Sequence, residues 1–332
     1  MPLKNQDSYL EECLQSIDRQ RFKDWELVVV DDHSKDNSRL KIGDWAKRDS
    51  RIRVFENKGT GLSDSLNLGI ERAQADLIAR MDADDVMTSD RLKKQFDFLS
   101  VRNRVGLVGC RVNNLNDSND VQFRGYKLYV EWLNSVKTFR QISLNRFVES
   151  PLAHPSVLFR KELILRFGGY KKGLFPEDYE LWLRWLEAGV VMEKLDDNLL
   201  HWRDHKERAS RTMPNYTKEA FQRVKAKYCA NWLKAELAEN FPISAWGAGR
   251  VARSQVYFLQ EQGIEISRFY DVDPKKIGTR KNGILVHSNS EIPSPGAEFL
   301  LILCGARKAR RIIEEFLAAR GYELGKNHLF LA

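Results

Sequence analysis

The chain has 332 residues, 42% of them hydrophobic and 30% charged, with a formal net charge of +8. That length buries a substantial core and suits two domains. The composition is that of an ordinary soluble protein, with no apolar run near the length of a membrane span and no visible signal-peptide pattern. The four cysteines (Cys13, Cys110, Cys229, Cys304) lie far apart and follow no metal-ligand spacing. They read as reduced, mostly buried thiols of a cytoplasmic protein. The positive charge suggests an acidic partner: nucleic acid, a nucleotide or an anionic membrane face. The Lys and Arg are scattered, and no nucleic-acid-binding signature is present, so nucleic acid is not the expected partner.

From Met1 to about Val112 the sequence alternates helix and strand. Ser8-Tyr-Leu-Glu11 has the form of a capping box. Leu10, Cys13, Leu14 and Ile17 then mark one helical face. Glu26 to Val30 is a short β-branched run that suits a buried strand. It runs into Asp31-Asp32-His33-Ser34 and Lys35-Asp36-Asn37-Ser38, which is turn and cap chemistry. Arg51 to Glu56 reads as a strand; Leu62, Leu66, Ile70 and Ala73 mark a helix. Asp76 to Met81 is a third strand, Asp90 to Leu99 a helix with Leu92, Phe96 and Leu99 inward, and Val105 to Val112 a fourth strand. Such alternation predicts an α/β fold with a mostly parallel sheet and helices on both faces. Ligands bind such sheets beyond the carboxyl ends of the strands.

That rule places two acidic groups at one rim: Asp31-Asp32, and Asp82-Ala-Asp84-Asp85. Asp favours turns and helix starts, so each group has a purely structural reading. Together they also suit a hard divalent cation, Mg²⁺ or Mn²⁺, which a carboxylate or two holds along with substrate phosphates.

Several stretches share an order and spacing. They are Tyr9 to Ile17, Trp25 to Ser38, Asn57-Lys-Gly59 with Leu66-Asn-Leu-Gly69, and Ala79-Arg-Met-Asp-Ala-Asp-Asp85. Over roughly residues 1 to 212 this set resembles the family 2 glycosyltransferases of the GT-A fold. The resemblance implies an inverting enzyme that uses a nucleotide-diphosphate sugar. It implies that Asp32, with Asp31, sits by the base and ribose, that Asp82 lies near the ribose, and that Asp84 ligates the metal. Asp85 is then a cap for the following helix. Arg80 holds phosphate or forms a surface salt bridge. Members of that family open with an apolar strand ending in a Pro-x-x-Asn-like turn. Only Met1-Pro-Leu-Lys-Asn5 corresponds to it here, so the natural start is expected upstream, with Met1 internal.

Asn113 to Asp120 is polar and turn-rich, and the stretch to Glu149 carries Tyr126, Tyr129, Trp132 and Phe139. It reads as amphipathic packing or as acceptor-side loops and helices. His154 to Arg160 reads as turn then strand, and Phe167-Gly-Gly-Tyr170 closes a short helix. Phe175 to Trp185 is a helix that begins at Pro176-Glu177-Asp178, with Leu181, Trp182, Trp185 and Leu186 inward and Gly189 at its C-terminal end. Acidic residues suit a helix start electrostatically. By the resemblance, Asp178 is instead the base that takes the acceptor's proton, and Glu177 supports it or binds acceptor. Leu199 to His205 resembles the family's closing segment. His205, and less so His201, is the candidate metal-reaching residue; a satisfied structural His is the alternative.

Tyr216 to Ala238 reads as a helix, either a packed linker or a surface lying on an anionic membrane. A second α/β pattern follows: strand Pro242–Trp246, glycine turn and helix from Gly247, strand Ile266–Tyr270 ending at Asp271, strand Leu300–Cys304 and helix Arg307–Arg320. Gly247-x-Gly249-x-x-Ala252 with an acid about 20 residues on fits the dinucleotide rule. It resembles small Rossmann-type domains attached to some sugar-processing enzymes. Gly247, Gly249 and Asp271 form a candidate second nucleotide site, though no redox catalytic residue is visible.

The expected organisation is a GT-A domain over residues 1–212, a helical linker over 213–240 and a Rossmann-like domain over 241–332. The expected activity is metal-dependent inverting transfer from a uridine-type sugar nucleotide to a glycan or lipid-linked acceptor. The expected place is the cytoplasm, with peripheral contact at the inner membrane face. The alternatives are a nucleotidyltransferase, which would lack the Glu177-Asp178 helix start and carry a glycine-rich basic loop, and an inactive nucleotide-sensing scaffold.

Overall fold

A computed structural model of the chain describes residues 1–116 and 124–332. It divides into two compact units: Met1–Ile142 with Pro151–Tyr216, and Ser143–Ser150 with Thr217–Ala332.

In the first unit, β1 (Pro2–Leu3), α1 (Leu10–Asp18), β2 (Leu27–Asp31), α2 (Ser38–Arg48), β3 (Ile52–Glu56) and α3 (Leu62–Arg72) follow the alternation read from the sequence. β1, β2 and β3 form a parallel sheet with β2 in the centre, Val30 lying opposite Pro2 and Phe55. Every residue of β2 is buried, as its apolar run requires. One face meets Leu10, Cys13, Leu14 and Ile17 of α1. α1 has no side-chain cap, so the Ser8–Glu11 capping box does not form. Glu11 instead accepts from Trp45 Nε1 at 3.1 Å and Gln15 Nε2 at 3.0 Å.

β4 (Leu77–Ala79), β5 (Val86–Met87), α4 (Arg91–Ser100), β6 (Val105–Asn116), α5 (Arg124–Ser135), α6 (Phe139–Asn145), β7 (Leu158–Arg160), α7 (Glu162–Phe167), α8 (Glu177–Glu187), β8 (Val191–Asp204) and α9 (Ala209–Thr212) follow. They build a sheet ordered β4-β7-β6-β8-β5, in which β6 and β8 run parallel and the other pairs antiparallel. The α/β class stands, with its purely parallel part confined to β1–β3. On α4 the expectation holds for Leu99, and Leu92 packs partly buried against the core, but it fails for Phe96. Arg91, Gln95 and Leu99 face inward, while Phe96 is half-exposed against Phe22. The reason is polar: Gln95 Nε2 donates to Val108 O and Ser156 O, and Arg91 to Arg80 O. The predicted turn at Asn113 is strand as far as Asn116, paired with Asp204; the remainder of that polar run lies outside the described residues. α8 buries Leu181, Trp182, Trp185 and Leu186 as expected, against Phe159, Leu107, Leu66 and Ile70.

The second unit holds α10 (Lys218–Glu236), β9 (Ile243–Trp246), α11 (Arg250–Glu261), β10 (Phe269–Asp271), β11 (Arg280–Lys281), β12 (Ile284–Ser288), β13 (Phe299–Ile302), α12 (Arg307–Ala319) and β14 (His328–Phe330). Its sheet runs β11-β12-β10-β9-β13-β14, parallel except for the β11–β12 pair. α10 packs inside this unit: buried Lys225 donates to Val148 O and Leu331 O. Among the described residues, no helix is long and apolar enough to cross a membrane.

Candidate active site

The Asp82-Asp84-Asp85 turn follows β4 and is fixed from behind by β8. Arg203, near the end of β8, gives its backbone N–H to Asp85 Oδ1 at 2.8 Å and its Nε to the Asp84 carbonyl at 2.8 Å. Its guanidinium also pairs with Glu12 of α1. Asp85 is therefore not a helix cap; β5 follows it, and its carboxylate is committed to β8. Two residues on, His205 Nε2 lies 2.9 Å from Asp84 Oδ2. His201 sits further back in β8, opposite Val86 and Asn113.

One carboxylate oxygen from each of Asp82, Asp84 and Asp85 lies within 4.8 Å of the other two. Burial, then the charges of Asp84 and Asp82, push the Asp85 carboxyl well above the usual range. Burial works the same way on Asp84, but the His205 hydrogen bond and the Arg208 charge hold it below that range. Arg208, unremarked in the sequence, gives Nη1 to Tyr126 Oη at 2.8 Å and lies 4.2 Å over the Trp202 ring.

Arg80 is 5% exposed, so it is a buried cation and not a surface salt bridge. Its Nη2 pairs with Asp82 Oδ1 at 2.6 Å. Asp178 and Glu177 open α8 after Pro176. Burial raises Glu177 to about 7, helped by the Asp178 charge and opposed by the Tyr216 hydroxyl. Burial raises Asp178 to about 6, opposed by its own Tyr179 N–H and by Arg80, while Asp82 adds to the rise. Glu177 is pinned: Tyr216 Oη donates to it at 2.7 and 2.8 Å. Asp178 accepts from Tyr179 N at 2.7 Å and remains half-buried. Tyr170 stands beside this pair, its backbone held both ways by Asn67.

Asp31 and Asp32 lie buried at the end of β2 in a separate network. Asp32 accepts from Lys4 Nζ (2.7 Å), Asn57 Nδ2 (2.7 Å) and Gly61 N (3.0 Å). Burial alone would raise it; these donors hold it below the usual carboxylate range. Asp31 Oδ1 accepts from Ser34 N at 3.3 Å, and Oδ2 is buried without a hydrogen-bond partner.

In the second unit, Gly247 has φ +115°, a backbone that disfavours any side chain. A Cβ at Gly249 would meet nothing within 4 Å, so that position does not require glycine. Asp271 is closed onto the turn. It accepts from Ala248 N at 2.9 Å, Asp273 N at 3.0 Å and Lys276 Nζ at 3.1 Å. Despite burial, those partners hold it below the usual range.

The profile of the family described as "Glycosyl transferase family 2" matches residues 1–167. The chain belongs to that family. This glycosyltransferase is 30% identical over 227 residues, 68% of its own length and 79% of the other's, to the UDP-Gal:alpha-D-GlcNAc-diphosphoundecaprenol beta-1,3-galactosyltransferase of Escherichia coli. It is 29% identical over 226 residues, 68% and 82% of the two chains, to the amylovoran biosynthesis glycosyltransferase AmsE of Erwinia amylovora. The crystal structure of S. aureus TarS 1–349 shares the fold, with TM-score 0.53 and 18% identity over 72% of this chain and 65% of that one. A profile described as "CoA binding domain" matches residues 239–323, in keeping with a Rossmann-like second unit. In that unit the turn of Gly247 is intact, and the carboxylate of Asp271 accepts three protein donors across it.

The glycosyltransferase's acidic turn does fit a divalent cation. Asp85 Oδ2 is buried without a hydrogen-bond partner, three carboxylates converge, and an imidazole stands against the middle one. Hard oxygen ligands with one nitrogen suit Mg²⁺ or Mn²⁺.

Proposed function

We propose that this enzyme transfers a sugar, with inversion and with the help of a divalent metal, from a uridine-diphosphate sugar to a glycan or lipid-linked acceptor during surface polysaccharide synthesis. The observation that carries the reading is the pair of raised carboxylates at the start of α8, set within electrostatic reach of Arg80 and Asp82. In this reading a base and a donor-binding group share one site. The named relatives support the substrate class: one builds amylovoran, and one uses UDP-Gal with a diphosphoundecaprenol acceptor. TarS has been crystallised with UDP-GlcNAc. An acceptor of that kind would place the enzyme at the cytoplasmic membrane face.

In this reading Asp178 removes the acceptor hydroxyl's proton as that oxygen attacks the anomeric carbon, and the sugar–phosphate bond breaks on the opposite face. One base and one displacement invert the centre. Burial keeps the base's pKa high, and the base's charge in turn raises that of Glu177, which Tyr216 holds. Asp84 and His205 would hold the metal, which when bound offsets the charge growing on the departing diphosphate. Asp82 and Asp32, with Asp31, contact the ribose and base, and Arg80 donates to phosphate. Release of nucleoside diphosphate from a panel of nucleotide sugars with Mn²⁺ tests this. The reading requires turnover with a uridine sugar and its loss in Asp178→Asn; no turnover with any donor would leave the inactive scaffold.

For the second unit, the family match favours a further reading: nucleotide binding at the Gly247–Gly249 turn, with Asp271 shaping the turn. A rise in melting temperature with CoA, NAD or a nucleotide sugar would support it, and none with all three would remove it.

A further inference from the structure

The donor side and the acceptor side of the site converge on Arg80. Nη2 is paired with Asp82, and the guanidinium charge acts on Asp178 and Glu177. Nε lies 3.1 Å from His154 Nε2, and Nη2 3.3 Å from His154 Nδ1. Nη1 is buried with no hydrogen-bond partner among the described residues. The backbone of Arg80 is held at both ends, its N–H by Val157 O at 2.9 Å and its carbonyl by Arg91 at 2.8 Å. That leaves the aim of a long side chain to Asp82 and His154.

A guanidinium only donates. An imidazolium would set N–H against N–H at both nitrogens, so the contact requires a neutral ring, whose single acceptor nitrogen takes one of the two guanidinium donors. Burial, with Arg80 beside it, keeps His154 neutral well below the ordinary histidine range. The ring is itself held in place. Tyr170 Oη lies 2.7 Å from Nε2, and Trp182 of α8 meets it edge-on at 5.9 Å. A histidine that only filled the core would need no arginine, and an unpartnered buried donor costs stability unless it is used.

We propose that His154 is a positioning residue for glycosyl transfer, aiming Arg80 so that its cation is shared between Asp82 and Asp178 while Nη1 stays available to the donor's diphosphate. This rests on Asp178 being the base. The groups facing Asp178 are Glu177 on its own helix, Arg80 and Asp82 from the strand end, Tyr170 from the turn after α7, and Tyr216 from the segment before α10. Arg80 is the cation among them, so displacing it raises the pH at which the base becomes active.

The test compares His154→Phe, which keeps an aromatic ring but no acceptor, with His154→Gln, which restores one. His154→Phe should lose at least about tenfold in kcat, within the range of a misplaced catalytic group, and its acid midpoint of kcat/KM should move up by about one pH unit. His154→Gln should return both toward wild type. Wild-type behaviour of His154→Phe would overturn the proposal; so would equal impairment of both variants with an unmoved midpoint, the mark of a purely structural role. If His154→Phe does not fold, Tyr170→Phe replaces it, removing only the hydroxyl on Nε2; a smaller upward shift of the midpoint supports the proposal and an unchanged midpoint overturns it. Asp178→Asn is run alongside. If that variant also turns over normally, the assignment of the base has failed instead.

Discussion

Two strand-end aspartates, one in each unit, show opposite chemistry. Asp85 is buried with two other carboxylates pressed against it, one of its oxygens lacks a partner, and its pKa is driven far up. Asp271 has three donors at ordinary hydrogen-bond distance and a lowered pKa. Asp85, directly before β5, is thus a group whose repulsion a cation would relieve, and Asp271, the last residue of β10, is already satisfied by its own chain. A carboxylate cluster with unrelieved repulsion is a candidate ligand site, whereas the donors on Asp271 hold a loop in shape.

The comparison breaks most decisively at the first site. Asp178→Asn and Asp84→Asn should each lower turnover by at least roughly a hundredfold, the low end for losing a positioned acid–base group; steady-state rates with a uridine sugar would show it. Chelation should abolish turnover, and adding back Mn²⁺ or Mg²⁺ should restore it, while far-UV circular dichroism stays unchanged.

A gentler probe is pH. With Glu177 near 7 and Asp178 near 6, the pair titrates as a unit. Activity should fall as pH drops through that window, by about tenfold per unit below it, in a kcat/KM profile. The sign for stability is the reverse. Both folded pKa values lie above the unfolded ones, so the pair favours folding below about pH 4 and loses that contribution as pH rises through about 6 to 7. Asp178→Asn should therefore melt no lower than wild type at pH 8, and up to about 2 kcal/mol more stable.

At the second site the effects should be structural. Asp271→Ala frees Ala248 N–H and should cost about 1–3 kcal/mol in denaturant unfolding, with kcat unchanged. Its lowered pKa adds stability above the ordinary Asp value and loses it as pH falls below that, so the penalty should shrink in acid. A large fall in kcat would mean that this carboxylate serves the reaction as well as the turn.

Much of this was legible in local pattern. The apolar run of β2 and the inward spacing of α8 fall within single elements, where period two and period 3.6 speak directly. Asp82, Asp84, Glu177 and Asp178 stood out only through the ordered motifs that resemble the family, since acids at turns and helix starts also have structural uses. On α4 the burial of Leu99 was legible, but that of Arg91 and Gln95 was not, because both are polar and their partners lie outside the helix. Arg203 was invisible for the same reason: its partners Asp85 and Glu12 lie 118 and 191 residues away. So was the Arg80–His154 contact, across 74 residues. Long-range polar contacts have no period to read.

The reach of Arg203 has one more consequence. A single side chain fastens an early helix, the acidic turn and a late strand. The turn therefore acquires its shape when the chain folds, and the disorder it gives up is lost once, ahead of any encounter with a sugar nucleotide. Each catalytic cycle then begins from a rigid cradle.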